Sequence, residues 1–313
     1  MRVLITGGSG CLGANIAERL LAAGHSVLSI DNFATGQRGA LAPHDNLQEV
    51  EGTIADQTLV DNCFDNFKPT HIVHSAAAYK DLDNWAEDAA TNVLGTIYVA
   101  KAAKRHNVKR FINFQTVLCY GRTDVRPVPI NHPVAPFTSY AISKTAGEQY
   151  IEMSELPYVS LRLSSVYGPR HFNGPIPTFY QRLCEGKKCF VVDTQRDFIE
   201  MEDFLDLFDR IMQDDAPTGT YNVSSGSDVT IKEIFDSIVE NLGIELDEPV
   251  EVRPPEDDDV ARILLDPSET EKAFGWKATT TLKEGMVKQI KWFKEHGVEQ
   301  TYSHLKIGQK NKD

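Results

Sequence analysis

No apolar stretch in this sequence approaches the about 20 residues that a membrane-spanning helix needs. The first apolar run begins almost at residue 1, so no secretory leader is expected. Positive charge is in deficit: 32 Lys and Arg stand against 45 Asp and Glu, for a net charge of −13. That balance offers no broad surface for nucleic acid, and an anionic ligand would have to be met by local basic residues. Cysteine is sparse and unpatterned. The five residues at 11, 63, 119, 184 and 189 are odd in number and show no metal-ligand spacing. A disulfide scaffold and a metal site are therefore not expected, and a reduced, cytoplasmic setting is. Internal repeats and low-complexity segments are missing too. What remains is a chain of 313 residues, 41% hydrophobic and 25% charged, which is ordinary for a globular protein of one large domain or two closely joined ones.

The most informative stretch is the first. Val3, Leu4 and Ile5 form an apolar run with β-branched members, which reads as a strand buried on both faces. Thr6 to Gly10 make a turn. Leu12, Ile16 and Leu20 then recur at helical spacing, so a helix is expected from near Cys11. Gly7, Gly10 and Gly13 fall between strand and helix, where glycine permits a tight turn, close approach of backbone to a pyrophosphate and close helix–sheet packing. The helix start would point unpaired N–H groups at the phosphates. A second strand, Val27 to Ile30, ends in Asp31, eighteen residues past Gly13. A carboxylate there accepts from ribose hydroxyls and repels a 2′-phosphate, which favours NAD over NADP. Arg38 leaves an opening for NADP.

Strand and helix signals then alternate. Strands are expected at 70–74 (taken as the third), 110–114 and 158–162, and helices at 86–106, with Val93, Ile97 and Ala100 on one face, and at 139–152. Such alternation implies a parallel sheet with helices on both faces. Residues 121–137, with four prolines, read as a loop. After residue 165 the pattern loosens: a helix near Pro177, short strands near 189–192 and 219–223, helices near 202–213 and 230–242, an acidic loop at Glu256 to Asp259, an amphipathic closing helix through Leu282, Met286, Ile290 and Phe293, and a polar tail from Gly308. The expected architecture is α/β: a Rossmann-type doubly wound parallel sheet with a smaller mixed α/β substrate domain. Residues 1–165, with 193–223 added, would hold the dinucleotide, and 166–192 and 224–313 the substrate.

Tyr140 and Lys144 are one helical turn apart and share a face. An ammonium beside a phenol lowers the phenol pKa from about 10, so that tyrosine can serve as a general base. An ordinary exposed helix pair is the alternative. With these residues in view, the chain resembles the extended short-chain dehydrogenase/reductases, specifically their NAD-dependent nucleotide-sugar epimerase/dehydratase group. The resemblant segments are the Gly7–Gly13 loop, Asp31-Asn32, His74 to Ala78, Asn92 to Thr96, Gln115 to Gly121, Tyr140 to Lys144, Arg162 to Pro169, Arg196 to Asp203, Arg253-Pro-Pro and Phe274-Gly-Trp276. The resemblance implies NAD contacts at Gly7, Gly10, Cys11, Leu12, Gly13, Asp31, Asn32, Ile54, Ala76, Asn92, Tyr140 and Lys144. It implies catalytic roles for Thr116, Tyr140 and Lys144, and substrate contacts at Thr116, Ser165, Arg196 and Arg253. For Arg253 a surface ion pair with neighbouring acids weighs equally. Arg122, Arg126, Arg170 and His171 read first as solvated loop residues, and His74 as a strand-end core residue.

Departures from the family pattern narrow the chemistry. Dehydratases of the group carry an Asp-Glu pair after the catalytic Thr, where this chain has Val117-Leu118, and neither can act as acid or base. Leu118 argues against the decarboxylases as well. Ser165 stands where a substrate-contacting Asn is frequent, and Thr53 where an adenine-side Asp is usual. The resemblance thus implies an epimerase of a nucleotide diphosphate sugar, most simply a UDP-sugar 4-epimerase. The alternatives are a reductase or dehydrogenase with net redox change, and a non-catalytic NAD-binding protein. A homodimer built through helices 86–106 and 139–154 is expected, and surface-polysaccharide synthesis is a common destination for such enzymes.

Overall fold

The computed structural model describes residues 1–79, 81, 83–255, 260–298 and 301; the acidic stretch Glu256 to Asp259 and the polar tail lie outside them. Chain order begins β1 (Arg2–Thr6), α1 (Cys11–Ala22), β2 (Ser26–Asp31), β3 (Leu47–Glu51), α2 (Gln57–Phe67) and β4 (His71–His74). It continues with α3 (Trp85–Asp88), a π-helical segment Ala89–Gly95, α4 (Thr96–Arg105), β5 (Arg110–Thr116), a 3-10 turn Val117–Tyr120, α5 (Ser139–Met153) and β6 (Tyr158–Leu163). Then come β7 (Ser165–Tyr167), α6 (Pro175–Cys184), β8 (Phe190–Val192), β9 (Gln195–Arg196), β10 (Phe198–Glu200), α7 (Met201–Ile211), β11 (Gly219–Val223), β12 (Val229–Thr230), α8 (Ile231–Leu242), β13 (Glu251–Arg253), α9 (Ser268–Phe274) and α10 (Leu282–His296).

Seven strands form one parallel sheet in the order β11-β6-β5-β4-β1-β2-β3. The direction of winding reverses between β1 and β4, and ligands of open α/β sheets bind outside the carboxyl ends of the strands at such a point. Thr6 is in register with His74 there, and Thr116 with Leu163. Separate cores pack the two faces. One joins Val3, Ile16, Ile112 and Leu161 to α7; the other joins Leu4, Phe64, Ile72 and Phe111 to α4 and α5. A third core, with Tyr167, Phe179, Phe235, Met286, Ile290 and Phe293, unites α6, α8 and α10 with the short strand pairs β7–β10 and β8–β13.

Two expectations need correction. His71–His74 is the fourth strand, because β3 and α2 intervene. β3 is an edge strand whose Gln48 and Glu49 face solvent, so it lacks the apolar run that marks a buried strand. The long helix expected over 86–106 is interrupted by the π segment, whose i→i+5 bonding inserts an extra residue per turn and turns the buried face. Asn92, Gly95, Thr96 and Val99 are buried with Ala100, whereas Val93 and Ile97 are only half-buried. The helix expected near Pro177 is present as α6, with Pro175 and Pro177 both in its first turn.

Candidate active site

β1 ends at Thr6, and the chain turns through Gly7, whose φ of +69° suits glycine. A Cβ on Gly7 would lie 2.8 Å from the backbone of Ala76, and one on Gly13 would lie 2.2 Å from the carbonyl oxygen of Gly7. The loop is therefore packed backbone to backbone. Gly10 precedes α1 without a side-chain cap, so the first N–H groups of that helix, at Cys11, Leu12 and Gly13, are free to meet an anion. Ala76 N donates to Thr6 Oγ1 (3.2 Å), which fixes the segment after β4 against the loop.

Asp31 closes β2 and is buried. Its Oδ2 accepts from Ser9 N (2.9 Å) and its Oδ1 from Phe33 N (2.8 Å). An ionised carboxylate has about four acceptor sites, so two remain for ribose hydroxyls. Asn32 is exposed and caps Ala34 N (3.1 Å). Arg38 is tied to both oxygens of Glu51 (2.8 and 2.5 Å) and lies over the Phe33 ring at 4.4 Å. The pair is exposed on both sides, and a surface ion pair of this kind holds its side chains only weakly. Ile54 is buried against Gly95, where a Cβ would stand 2.7 Å away.

Asn92, on the π segment, is a buried tie. Its Oδ1 accepts from Ala78 N (2.8 Å), and its Nδ2 donates to Ala78 O (2.9 Å) and Ser143 Oγ (3.0 Å). It thereby holds the loop after β4 against α5, the helix that carries Tyr140 and Lys144. Thr138 caps α5 by accepting from Ala141 N (3.2 Å), which places Tyr140 in the first turn. Tyr140 meets the Tyr79 ring edge-on at 6.2 Å. Thr116 ends β5 and accepts from Leu118 N (3.2 Å), capping the 3-10 turn that packs on α5.

Lys144 is 5% exposed. Burial pulls its ammonium down to a pKa of about 8, with Glu148 one turn further on opposing the shift. Lys144 in turn helps burial to hold His74 near a pKa of about 3, so that imidazole is neutral. His74 bridges Thr6 Oγ1 and Thr96 Oγ1, each at 2.9 Å, as the strand-end core residue expected from the sequence. The expected lowering of the Tyr140 pKa is overturned. Burial, with Tyr79 and Asp88 adding to it, pushes the phenol well above its ordinary value, and Lys144 does not offset this in the chain alone. Desolvation is the largest cause, and Tyr79 and Asp88 act in the same direction.

The residues expected to contact a substrate are spread over the short strands. Ser165 begins β7, its N–H donating to Asp197 O (3.0 Å). Arg196 donates to Gln195 O (2.9 Å) and Ala261 O (3.3 Å). Arg253 forks onto Glu251 (2.9 and 2.8 Å) and stacks over Phe190 at 3.7 Å, on an exposed strand. Arg253 lies in the β8–β13 pair, opposite Val192, and Arg196 in the separate β9–β12 pair, opposite Val229. Arg126 is paired with Asp228, and Arg122 lies over Phe137.

Some important groups escaped the sequence reading. Glu148, 2% exposed, binds Arg162 (2.9 Å) and Ser160 (2.6 Å), and Arg162 reaches Tyr120 Oη (3.0 Å), which bonds Asn222 (2.8 Å). This buried network underlies Lys144. Its signal was the helical spacing 140, 144, 148. Tyr79, next to the His74–Ala78 segment, had no periodicity to expose it.

The model of the NAD dependent epimerase/dehydratase family matches residues 3–224. The UDP-glucose 4-epimerase of Mycolicibacterium smegmatis is 30% identical over 312 residues, covering 94% of this chain and 99% of that protein. Among solved structures, the Bordetella bronchiseptica enzyme WbmG in complex with NAD and UDP is similar with a TM-score of 0.93 and 56% identity, over 97% of this chain and 98% of that one. WbmH of the same organism, in complex with NAD+, has a TM-score of 0.91 and 47% identity, over 95% and 99%.

Proposed function

We propose, from the premise that this chain belongs to the NAD dependent epimerase/dehydratase family, that it epimerises a nucleotide diphosphate sugar, acting on a UDP-sugar at C4. The observation that carries the choice of reaction is the pair after Thr116. Val117 and Leu118 are packed against a hydrophobic cluster of Cys119, Tyr120, Val128, Ile263 and Leu265. A dehydratase needs an acid and a base at the sugar's side chain, and this position offers hydrocarbon. Epimerisation at a ring carbon needs only one proton shuttle.

The residues present fit the cofactor. The Gly7–Gly13 cradle would be filled by any Cβ, α1 presents free N–H groups, and Asp31 keeps acceptor sites for a ribose. NAD, when bound, supplies a hydride acceptor, a cationic ring and the return of the hydride to the opposite face of the sugar carbon. Tyr140 takes the hydroxyl proton and gives it back; its raised pKa makes it a donor at rest and leaves it in need of nearby positive charge to act as base. Thr116 hydrogen-bonds the same oxygen. Lys144 holds a ribose and, when protonated, supplies part of that charge. Arg196 binds the diphosphate through its planar fork. Arg253 does so only after leaving Glu251.

Residues 1–165 with 193–223 are assigned to the cofactor, in keeping with the place of β11 and α7 in the main sheet and its core. Ile142, Tyr150 and Met153 of α5 and Trp85 and Leu94 near α4 are exposed apolar side chains, which supports a homodimer through these helices. The five free cysteines fit a reducing, cytoplasmic setting, and among the described residues no helix is long and apolar enough to cross a membrane. The test is NMR of purified protein incubated with UDP-sugars, including uronic acids and N-acetylhexosamines. C4 interconversion without net NADH is expected; clean dehydration, or net redox with no epimer, ends the reading.

A further inference from the structure

We propose that Arg170 is a latch that retains the dinucleotide between turnovers, which makes it a resident group rather than an exchanging cosubstrate. This rests on the reading that the Gly7–Gly13 loop binds NAD. The turn after β7 lies across the start of α1. Pro169 O accepts from Asn15 Nδ2 (3.0 Å) and from the Cys11 thiol (3.5 Å), so the strap is anchored to the helix that would hold the phosphates. Arg170 extends the strap over the second wall. Its guanidinium donates to Ala40 O (3.1 Å) on the loop between β2 and β3, and to Asn15 Oδ1 (3.3 Å) and Glu18 Oε1 (2.5 Å) on α1. That loop is pinned to the glycine turn, with Gln37 N donating to Ser9 O (3.2 Å).

The fork of one arginine thus joins three segments: the strap, the β2–β3 loop and the helix. Lysine, a point charge with no planar fork, would not span these acceptors. The backbone at Arg170 is left-handed, with φ of +62°, which is uncommon for a side chain of this size. That conformation turns the side chain back over α1. Arg170 shares the wall of a small cavity of about 20 Å³ with Ser9, Gly10 and Cys11 of the glycine turn and with Gln37 and Ala40 of the β2–β3 loop. Parting the strap from the β2–β3 loop requires Arg170 to let go of Ala40. Burial raises the Cys11 thiol to a pKa of about 12 against the lowering effect of Arg170.

The latch is tested on holoenzyme by chasing bound NAD with excess fluorescent etheno-NAD and timing its release, without any sugar present. Arg170→Ala should release NAD about tenfold faster or more, the scale of one lost charge-assisted hydrogen bond. Glu18→Gln and Arg170→Lys should fall between that variant and the parent, and activity of Arg170→Ala should come to depend on added NAD. Arg19→Ala is the control for general loosening of α1, because Arg19 pairs with Asp206 and Asp209 on α7 and does not touch the strap. Unchanged release in Arg170→Ala overturns the latch, and so does equal acceleration in Arg19→Ala. A parent protein that binds no NAD sinks the cofactor reading itself, a result distinct from either.

Discussion

Lys144→Met should abolish activity and, in cofactor-free protein, raise stability. The magnitude follows from burial. The ammonium of Lys144 falls from an ordinary pKa of 10.5 to about 8 in the folded chain, a shift of about 2.5 units. At roughly 1.4 kcal/mol per unit, that is a folded-state penalty of about 3 kcal/mol for keeping the proton. The sign is fixed by linkage. Below pH 8 both folded and unfolded chains carry the proton, and the folded chain bears the full desolvation cost. Between about 8 and 10.5 only the unfolded chain binds it, so stability rises with pH and the penalty fades, vanishing above 10.5. Methionine has a similar stem and no charge, and Glu148 keeps its partner Arg162 at 2.9 Å. The variant should therefore gain up to about 3 kcal/mol in urea unfolding at pH 6.5, and roughly half of that at pH 9.5. A variant that is less stable at pH 6.5, or whose gain is the same at both values, refutes the argument. A gain confined to low pH would mark Lys144 as a charge held at a cost in stability for the sake of its function.

Three further outcomes are expected. Gly147→Ala places a Cβ 2.6 Å from the carbonyl oxygen of Asn92 and must push α5 from the π segment; a loss of about 1–3 kcal/mol is expected, read as a fall in Tm of several degrees, and an unchanged melt contradicts the close packing. Asp31→Ser removes the acceptor that anchors Ser9 N and Phe33 N. NAD affinity should drop about tenfold or more and its preference over NADP should narrow, whereas calorimetric titrations with an unaltered ratio would deny Asp31 its role. Iodoacetamide should modify Cys184, which is exposed, well before Cys11 and Cys119, whose thiols burial raises to about 12; peptide mapping that finds Cys119 first would contradict this burial.

The N-terminal β–α–β unit was legible because its signals are local. An apolar run, three glycines at fixed spacing and an acid at the next strand's end occupy residues 3–31, and β1, α1 and β2 follow them closely. The closing helix was legible for the same reason, its Met286, Ile290 and Phe293 all buried. β3 escaped because an edge strand needs no apolar face. The π segment escaped because a change of helical pitch leaves no mark in composition. Arg170, ranked with the solvated loop residues, bridges positions more than 125 apart in the chain, Ala40 and Asn15 among them.

Local order along the chain thus determined the kind of sheet, the glycine turn after β1, the acid that closes β2 and the placing of Tyr140 and Lys144 one turn apart on α5, since each needs only neighbours within a turn or a strand. Tertiary structure alone decided how those groups behave. Tyr140 rises rather than falls in pKa, Lys144 loses much of its hold on its proton, and Arg253 is spent on Glu251 and Phe190. Desolvation and ion pairing depend on which distant segments close over a charge, and that is a property of packing.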